Sequence, residues 1–317
     1  MDRLTLLITG AAGYVGRHTV AEARARGHAV IAVVRSFATP KAWQGDDGIT
    51  VLACDLSEPE GLNAAIARAD VVLHLAASMS GDAAAHARDT IAATTALLDA
   101  MPDGGKLVQL SSMAVYDMST VEPGDMLDES AALLTPGAPA DAYALAKGAQ
   151  EKLVADAASK AALSLTILRA GAVFGPGRLW NAHLGFSLGP VLVRLGSQGQ
   201  IPLCHISTCA AALVSAAERP ATGAINVLDE DLPDRRRYLG CLKAGPKLTL
   251  PFSWRVMMPL ALMAARLIPE TRLPGLLRPS VLRARYLPIH FDNSRMRRVL
   301  GLRQAKAFET LMHEAQE

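Results

Sequence analysis

Residues Thr5 to His18 read TLLITGAAGYVGRH: a short apolar run, then glycines at every third position, Gly10, Gly13 and Gly16. An apolar run of this length, closely bounded, reads as a buried strand. Glycines directly behind it let the backbone turn tightly and keep Cβ atoms out of the way of an anionic ligand. A helix that starts at such a turn brings free N–H groups and a partial positive charge to it. The stretch therefore reads as a strand–turn–helix unit suited to a pyrophosphate, with an ordinary tight turn as the alternative.

The pattern then repeats. Leu4–Thr9, Ala29–Val34, Val51–Ala53, Val71–Leu75, Leu107–Ser111 and Leu165–Arg169 are short and apolar or β-rich. Between them lie helical patterns at Arg17–Arg26, Pro59–Arg68 and Ala142–Ala158. Strands alternating with helices imply parallel βαβ units and a doubly wound α/β Rossmann fold. From about Gly175 the rhythm changes and Pro and Gly become frequent. A smaller, mostly helical C-terminal lobe fits residues 177–199 and 229–317. Residues 1–176 form the dinucleotide domain, and 200–228 return to it through the strand-like Ala224–Leu228. FDNSRMRRVLGL (Phe291–Leu302) reads as a capped final helix: Asp292, Asn293 or Ser294 can cap it and Gly301 can end it.

Composition narrows the class. Half of the 317 residues are hydrophobic and 20% are charged, which suits a core-forming soluble chain, and a formal net charge of +2 offers no nucleic-acid surface. The four cysteines, Cys54, Cys204, Cys209 and Cys241, have no metal-ligand spacing, so no metal is expected. No signal peptide is read at the N-terminus, and a cytoplasmic location is expected. Residues 251–269, PFSWRVMMPLALMAARLIP, are apolar but interrupted by Arg255, Pro259 and Arg266. They suit a substrate-lobe helix first, a helix touching a membrane surface second, and a span last.

The second strand ends in VIAVVRS. An Asp or Glu there holds the ribose 2′-hydroxyl of NAD, whereas an arginine accommodates a 2′-phosphate. Arg35 occupies the place, with Ser36 beside it and Arg17 just after the glycines, so NADP(H) is expected ahead of NAD(H).

With these residues in view, TGAAGYVG resembles the TGxxGxxG fingerprint of the extended short-chain dehydrogenase/reductases, and further motifs follow in that family's order. Asp55 in CDL resembles the acidic residue that meets the adenine amino group. HLAA (His74–Ala77) resembles the small-residue wall beside the cofactor. LSSMAVY (Leu110–Tyr116) resembles SSxxVY and assigns the active-site serine to Ser112. YALAK (Tyr143–Lys147) is the YxxxK pair, and RAGAVFGPG (Arg169–Gly177) resembles RPxxVYGPG. The resemblance implies a cofactor site formed by Gly10, Ala12, Gly13, Tyr14, Val15, Gly16, Arg17, Arg35, Ser36, Asp55, Leu56, Leu75, Ala76, Ala77, Ser111, Ala170 and Val173. It also implies that Met113, Phe174 and His183 face a small-molecule substrate. A homodimer through the Tyr143 helix and the helix before Pro102 is expected by the same analogy. His74 and His205 read as structural, and Asp128-Glu129 as a solvated pair within possible reach of substrate.

Tyrosine and lysine four apart share one helix face. A nearby ammonium, helped by oxidised nicotinamide, favours the phenolate, so Tyr143 is expected to exchange a proton with a carbonyl or alcohol oxygen. Lys147 is expected to lower the phenol's pKa and hold the nicotinamide ribose, and Ser112 to hydrogen-bond the developing alkoxide. Departures from the family sort the reactions. Its dehydratases carry an Asp-Glu pair where this chain has Met113-Ala114. Its sugar-nucleotide epimerases carry an asparagine and an arginine where this chain reads AGAVF and QIPLCHIST, although Arg178 or Arg194 could substitute. An NADP(H)-dependent oxidoreductase acting on a ketone, aldehyde or secondary alcohol of a largely apolar molecule remains, near the 3β-hydroxysteroid-dehydrogenase-like and dihydroflavonol-reductase-like subgroups. An epimerase with tightly bound NAD and a non-catalytic NADP(H) sensor are the alternatives.

Overall fold

The computed structural model describes residues 3–317 apart from 36–39, 80–82, 197, 244, 247, 270–271, 274 and 304–305. Its first half runs β1 (Thr5–Thr9), α1 (Tyr14–Ala25), β2 (Ala29–Val34), β3 (Ile49–Ala53), α2 (Leu62–Ile66), β4 (Val71–His74), α3 (Ala83–His86), α4 (Ala93–Asp99) and β5 (Lys106–Ser112). There follow β6 (Met126–Leu127), α5 (Ala142–Lys160), β7 (Ser164–Ala170), β8 (Ala172–Phe174), β9 (Gly185–Leu188), β10 (Val191–Leu195), β11 (Leu203–His205), α6 (Ile206–Glu218) and β12 (Gly223–Val227). The chain ends with α7 (Arg235–Gly240), β13 (Leu248–Phe252), α8 (Trp254–Leu267), α9 (Pro279–Tyr286), β14 (His290–Phe291), α10 (Ser294–Leu300) and α11 (Phe308–Glu314).

Seven of these strands form one parallel sheet in the order β12-β7-β5-β4-β1-β2-β3. Because side chains alternate along a strand, each strand feeds two cores. Leu6 and Ile8 pack towards α1 and α6 with Val20, Ala23 and Leu213, whereas Leu7 packs towards α2, α4 and α5 with Leu62, Leu97 and Val154. Burial on both faces is why these strands read as unbroken apolar runs. The order reverses between β1 and β4, which opens a crevice beyond their carboxyl ends.

Beyond β7 the structure departs from the expected helical lobe in specific ways. β13, β10 and β9 form a small three-stranded sheet, and short ladders join β8 to β11 and β6 to β14. The helix expected over 59–68 contracts to α2, because Gly61 takes a left-handed conformation (φ 74°) just before it. α10 does end at a left-handed Gly301, and Asp292 accepts the Ser294 N–H. It is not the final helix: α11 follows. α10 also packs on the main sheet, with Met296 and Leu300 in the same core as Ile225 and Val227 of β12. Among the described residues no helix is long and apolar enough to cross a membrane.

Candidate active site

The opening turn positions α1. Gly10 has φ 65°, and a Cβ there would stand 3.1 Å from the Ala76 backbone, so glycine lets β1 and the end of β4 close together. Gly13 starts α1 with no side-chain cap, which leaves the helix's first N–H groups facing the crevice. Behind the turn, Thr9 Oγ1 accepts from the N–H groups of Leu75 and Ala76 (both 3.2 Å) and therefore donates to His74 Nδ1 (2.7 Å). The network thus assigns the His74 proton to Nε2, which donates to Thr94 Oγ1 (2.9 Å). Burial, then the Lys147 charge, lower the His74 pKa to about 3. It is a neutral brace, as expected.

The crevice is a cleft of about 870 Å³. Every residue expected to hold the cofactor lines it except Arg17 and Ser36, and so do Ser112, Tyr143, Lys147, Met113, Phe174 and His183. Arg17 lies one turn into α1, exposed and outside the cleft lining. Ser36 lies outside the described residues. At one end, Arg35 closes β2 with 70% of its side chain exposed, 3.7 Å from Asp89, which Arg88 also binds (3.0 Å). Asp55 accepts from the backbone N–H and hydroxyl of Ser57; these bonds, together with the charges of Arg35 and Arg88, hold its carboxyl below the usual range.

At the other end stand the three catalytic candidates. Asp141 caps α5 by accepting the Ala144 N–H (2.8 Å), which starts the helix in phase to bury Lys147, Gln150, Glu151 and Val154. Lys147 Nζ donates to the Leu110 carbonyl (2.8 Å) and to Gln150 Oε1 (2.9 Å). Burial lowers its pKa to about 8, against a smaller opposing effect of Glu151. Burial raises the Tyr143 pKa; the Ser112 hydroxyl opposes this and Asp141 adds to it. The ammonium is turned to Leu110 and Gln150, and desolvation dominates the phenol. Ser111 Oγ, buried in the cleft wall, has no protein partner. The uncapped helix start, the glycine turn and this orphan hydroxyl all fit a bound dinucleotide.

Several functional neighbours escaped sequence reasoning. Gln150 extends the buried network from Lys147 to Thr94 (Nε2–Oγ1 2.8 Å); its signal was the i+3 spacing from Lys147. Arg88 and Asp89 beside Arg35 had no local signal, nor did Trp180, Asn181 and Arg285, which also line the cleft. His183 lines it too; burial and the guanidiniums of Arg235 and Arg285 lower its pKa to about 3. Phe174 presents little to the cleft, since its ring packs on His205 (5.1 Å) and Phe308 (6.0 Å). His205 caps α6 through Ser207. Glu129 is half-buried rather than free in solvent: its carboxylate accepts the Asn226 N–H (2.8 Å).

Residues 6–227 match the model of the NAD dependent epimerase/dehydratase family. The chain is 29% identical over 272 residues to a 3-diazoavenalumate denitrifying reductase from Streptomyces sp, covering 78% of this chain and 84% of that protein. It is 27% identical over 235 residues to a ceramide reductase from Caulobacter vibrioides, covering 72% of this chain and 65% of that one. Its fold is similar to that of the Thermus thermophilus UDP-glucose 4-epimerase in complex with NAD, with TM-score 0.70, 20% identity and coverage of 98% and 97% of the two chains. The chain belongs to the NAD dependent epimerase/dehydratase family, within the extended short-chain dehydrogenase/reductases, and is an NAD(P)-dependent enzyme.

Proposed function

We propose that the protein is an NADP(H)-dependent reductase of a ketone or aldehyde on a largely apolar small molecule. The observation that carries this reading is the Ser112–Tyr143–Lys147 group in the wall of a cleft whose far end is bordered by Arg35. Gly10, Gly13 and Gly16 with the first turn of α1 would hold the pyrophosphate, Asp55 and Leu56 the adenine, and Lys147 the nicotinamide ribose. Nicotinamide, when bound, supplies or takes the hydride. Ser112 donates a hydrogen bond to the substrate oxygen, and Tyr143 gives that oxygen its proton in reduction or removes it in oxidation. The raised phenol pKa of the cofactor-free chain suits the donor role. Lys147, charged at neutral pH with two of its hydrogens fixed, keeps one hydrogen for the ribose.

Arg35 favours a 2′-phosphate, and β2 ends without a carboxylate to take the 2′-hydroxyl of NAD. A sugar diphosphate finds little in its place: Ala170-Gly171-Ala172 and Cys204 stand where an epimerase needs polar partners, and Arg178 lies over the Tyr14 ring at 4.5 Å. The names of the relatives, reductases of a diazo compound and of a ceramide, agree with a reductase and with an apolar substrate. A homodimer through α4 and α5 belongs to the same reading, and mass photometry tests it.

The deciding experiment is titration of nucleotide-free protein with NADPH and NADH, followed by turnover on a ketone and aldehyde panel. NADPH should bind preferentially and exchange. Arg35→Asp should cost about 1–2 kcal/mol of that preference, the low end for a charged hydrogen bond because Arg35 is exposed. Tyr143→Phe should abolish turnover and leave cofactor affinity nearly intact. Retained NAD that does not exchange would replace this reading with the epimerase; NADPH binding without turnover on any carbonyl would leave a sensor.

A further inference from the structure

We propose that the outer face of α8, with β13 leading into it, docks on an anionic lipid surface. The inward side of α8 is conventional: Trp254 and Ala261 are buried in the lobe's core with Leu282 and Tyr286 of α9. The outward side is not. Val256, Leu260, Met263 and Leu267 fall at i, i+4, i+7 and i+11, one stripe along the helix, and all four are more than half exposed, Leu267 at 81%. Alternate residues of β13, Leu248, Leu250 and Phe252, are also exposed and carry the apolar surface back from the helix start. Single exposed apolar residues are ordinary, but seven of them gathered on two successive elements mark an interaction site.

Charge identifies the occupant. Between residues 243 and 269, the stretch that makes β13 and α8, the chain carries four lysines and arginines and no carboxylate. Arg255 and Arg266, eleven residues apart, are exposed on the flank of the stripe. Arg255 sits in the first turn of α8, where a cation opposes the helix dipole, so it does not serve the helix itself. A helix with an apolar face and flanking arginines suits the headgroup–acyl boundary of an anionic bilayer. At 14 residues α8 is about 21 Å long, too short to span a bilayer, and lies along it. A second copy fits poorly, because a two-fold contact would bring one basic segment against another. Docking does not depend on the reductase reading. A consequence that does rest on it concerns the substrate. α9 packs between α8 and the cleft and lines the cleft with Ala284 and Arg285, so an apolar substrate held in the membrane is close to the site.

The test is sedimentation of the full chain with vesicles of phosphatidylcholine alone and of phosphatidylcholine mixed with phosphatidylglycerol, with no turnover measured. The protein should sediment with the mixed vesicles and largely ignore the neutral ones. Leu260→Glu/Met263→Glu should lower the partition coefficient at least tenfold with an unchanged melting temperature, since both positions are exposed. Arg255→Gln/Arg266→Gln should lower it about fivefold per charge removed. Three results overturn the proposal: no sedimentation with mixed vesicles, binding that both double variants leave unchanged, or a dimer that ignores vesicles and is split by the glutamates. The last would assign the face to a second copy.

Discussion

The buried pair of Arg169 on β7 and Glu151 on α5 supports a quantitative prediction. Arg169 donates to Glu151 through Nε (3.1 and 3.2 Å to the two oxygens) and Nη2 (2.8 Å), and both side chains are almost fully enclosed. Its Nη1 donates to the Tyr116 hydroxyl (3.1 Å), which donates to Asn226 Oδ1 (2.6 Å). The pair therefore ties α5, the segment after β5, β7 and β12 together directly behind the catalytic end. Arg169→Met strands a buried carboxylate, and Glu151→Leu strands a buried guanidinium. Each should cost about 3–5 kcal/mol, a large share of the roughly 5–15 kcal/mol that holds a domain folded. The double variant Arg169→Met/Glu151→Leu should return to within about 2 kcal/mol of the parent, because replacing both charges also removes their desolvation cost. Urea unfolding of nucleotide-free protein, read by tryptophan fluorescence, measures all four proteins without ligand stabilisation. Single losses below about 1 kcal/mol, or a double loss equal to the sum of the singles, would refute the reasoning.

Two glycines should separate folding from binding. A Cβ on Gly16 would meet the Ala11 carbonyl oxygen at 2.6 Å and the Ala11 Cα at 2.7 Å, all backbone, so Gly16→Ala should cost about 3 kcal/mol or more in thermal unfolding. On Gly13 (φ −68°) a Cβ meets only the Gly10 carbonyl at 3.1 Å, so Gly13→Ala should fold nearly normally yet weaken NADPH in a fluorescence titration. Lys147 predicts a pH slope. The unfolded chain keeps this proton up to about pH 10.5, whereas the folded chain releases it near pH 8. Between those values the unfolded state binds more protons, so stability should rise with pH, by up to about 3 kcal/mol. Urea midpoints across that range should lose the slope in Lys147→Met.

The parallel sheet was legible because strands buried on both faces leave continuous apolar runs, and Tyr143 and Lys147 because a four-residue spacing defines one helix face. What was hidden is of longer range. Lys147 reaches Thr94 through Gln150, 56 residues from that threonine; no local pattern encodes such a contact. Desolvation of Tyr143 depends on everything packed around it, which a four-residue spacing does not encode. Glu129 looked solvated because its partner is the Asn226 backbone, 97 residues away. Arg17 follows the glycines in sequence, but as the fourth residue of α1 it is exposed and outside the cleft lining. The β9–β10–β13 sheet lay in a stretch where Gly and Pro break every periodicity.

The ladder between β8 and β11 pairs Ala172 with Leu203, Cys204 with Val173 and His205 with Phe174. It pins both ends of residues 175–202 to the body that would hold the cofactor. Trp180, Asn181 and His183, which line the cleft, all lie inside that closed loop. The stretch is thus a loop with two fixed feet, held to the rest of the lobe by the ladder of β10 with β13 and by Arg235, which donates to the carbonyls of His183 and Gln198. Grafting the corresponding segment of a relative between Phe174 and Leu203 would rewrite one wall of the cleft and leave the seven-stranded sheet whole, but the β10–β13 ladder would have to be remade.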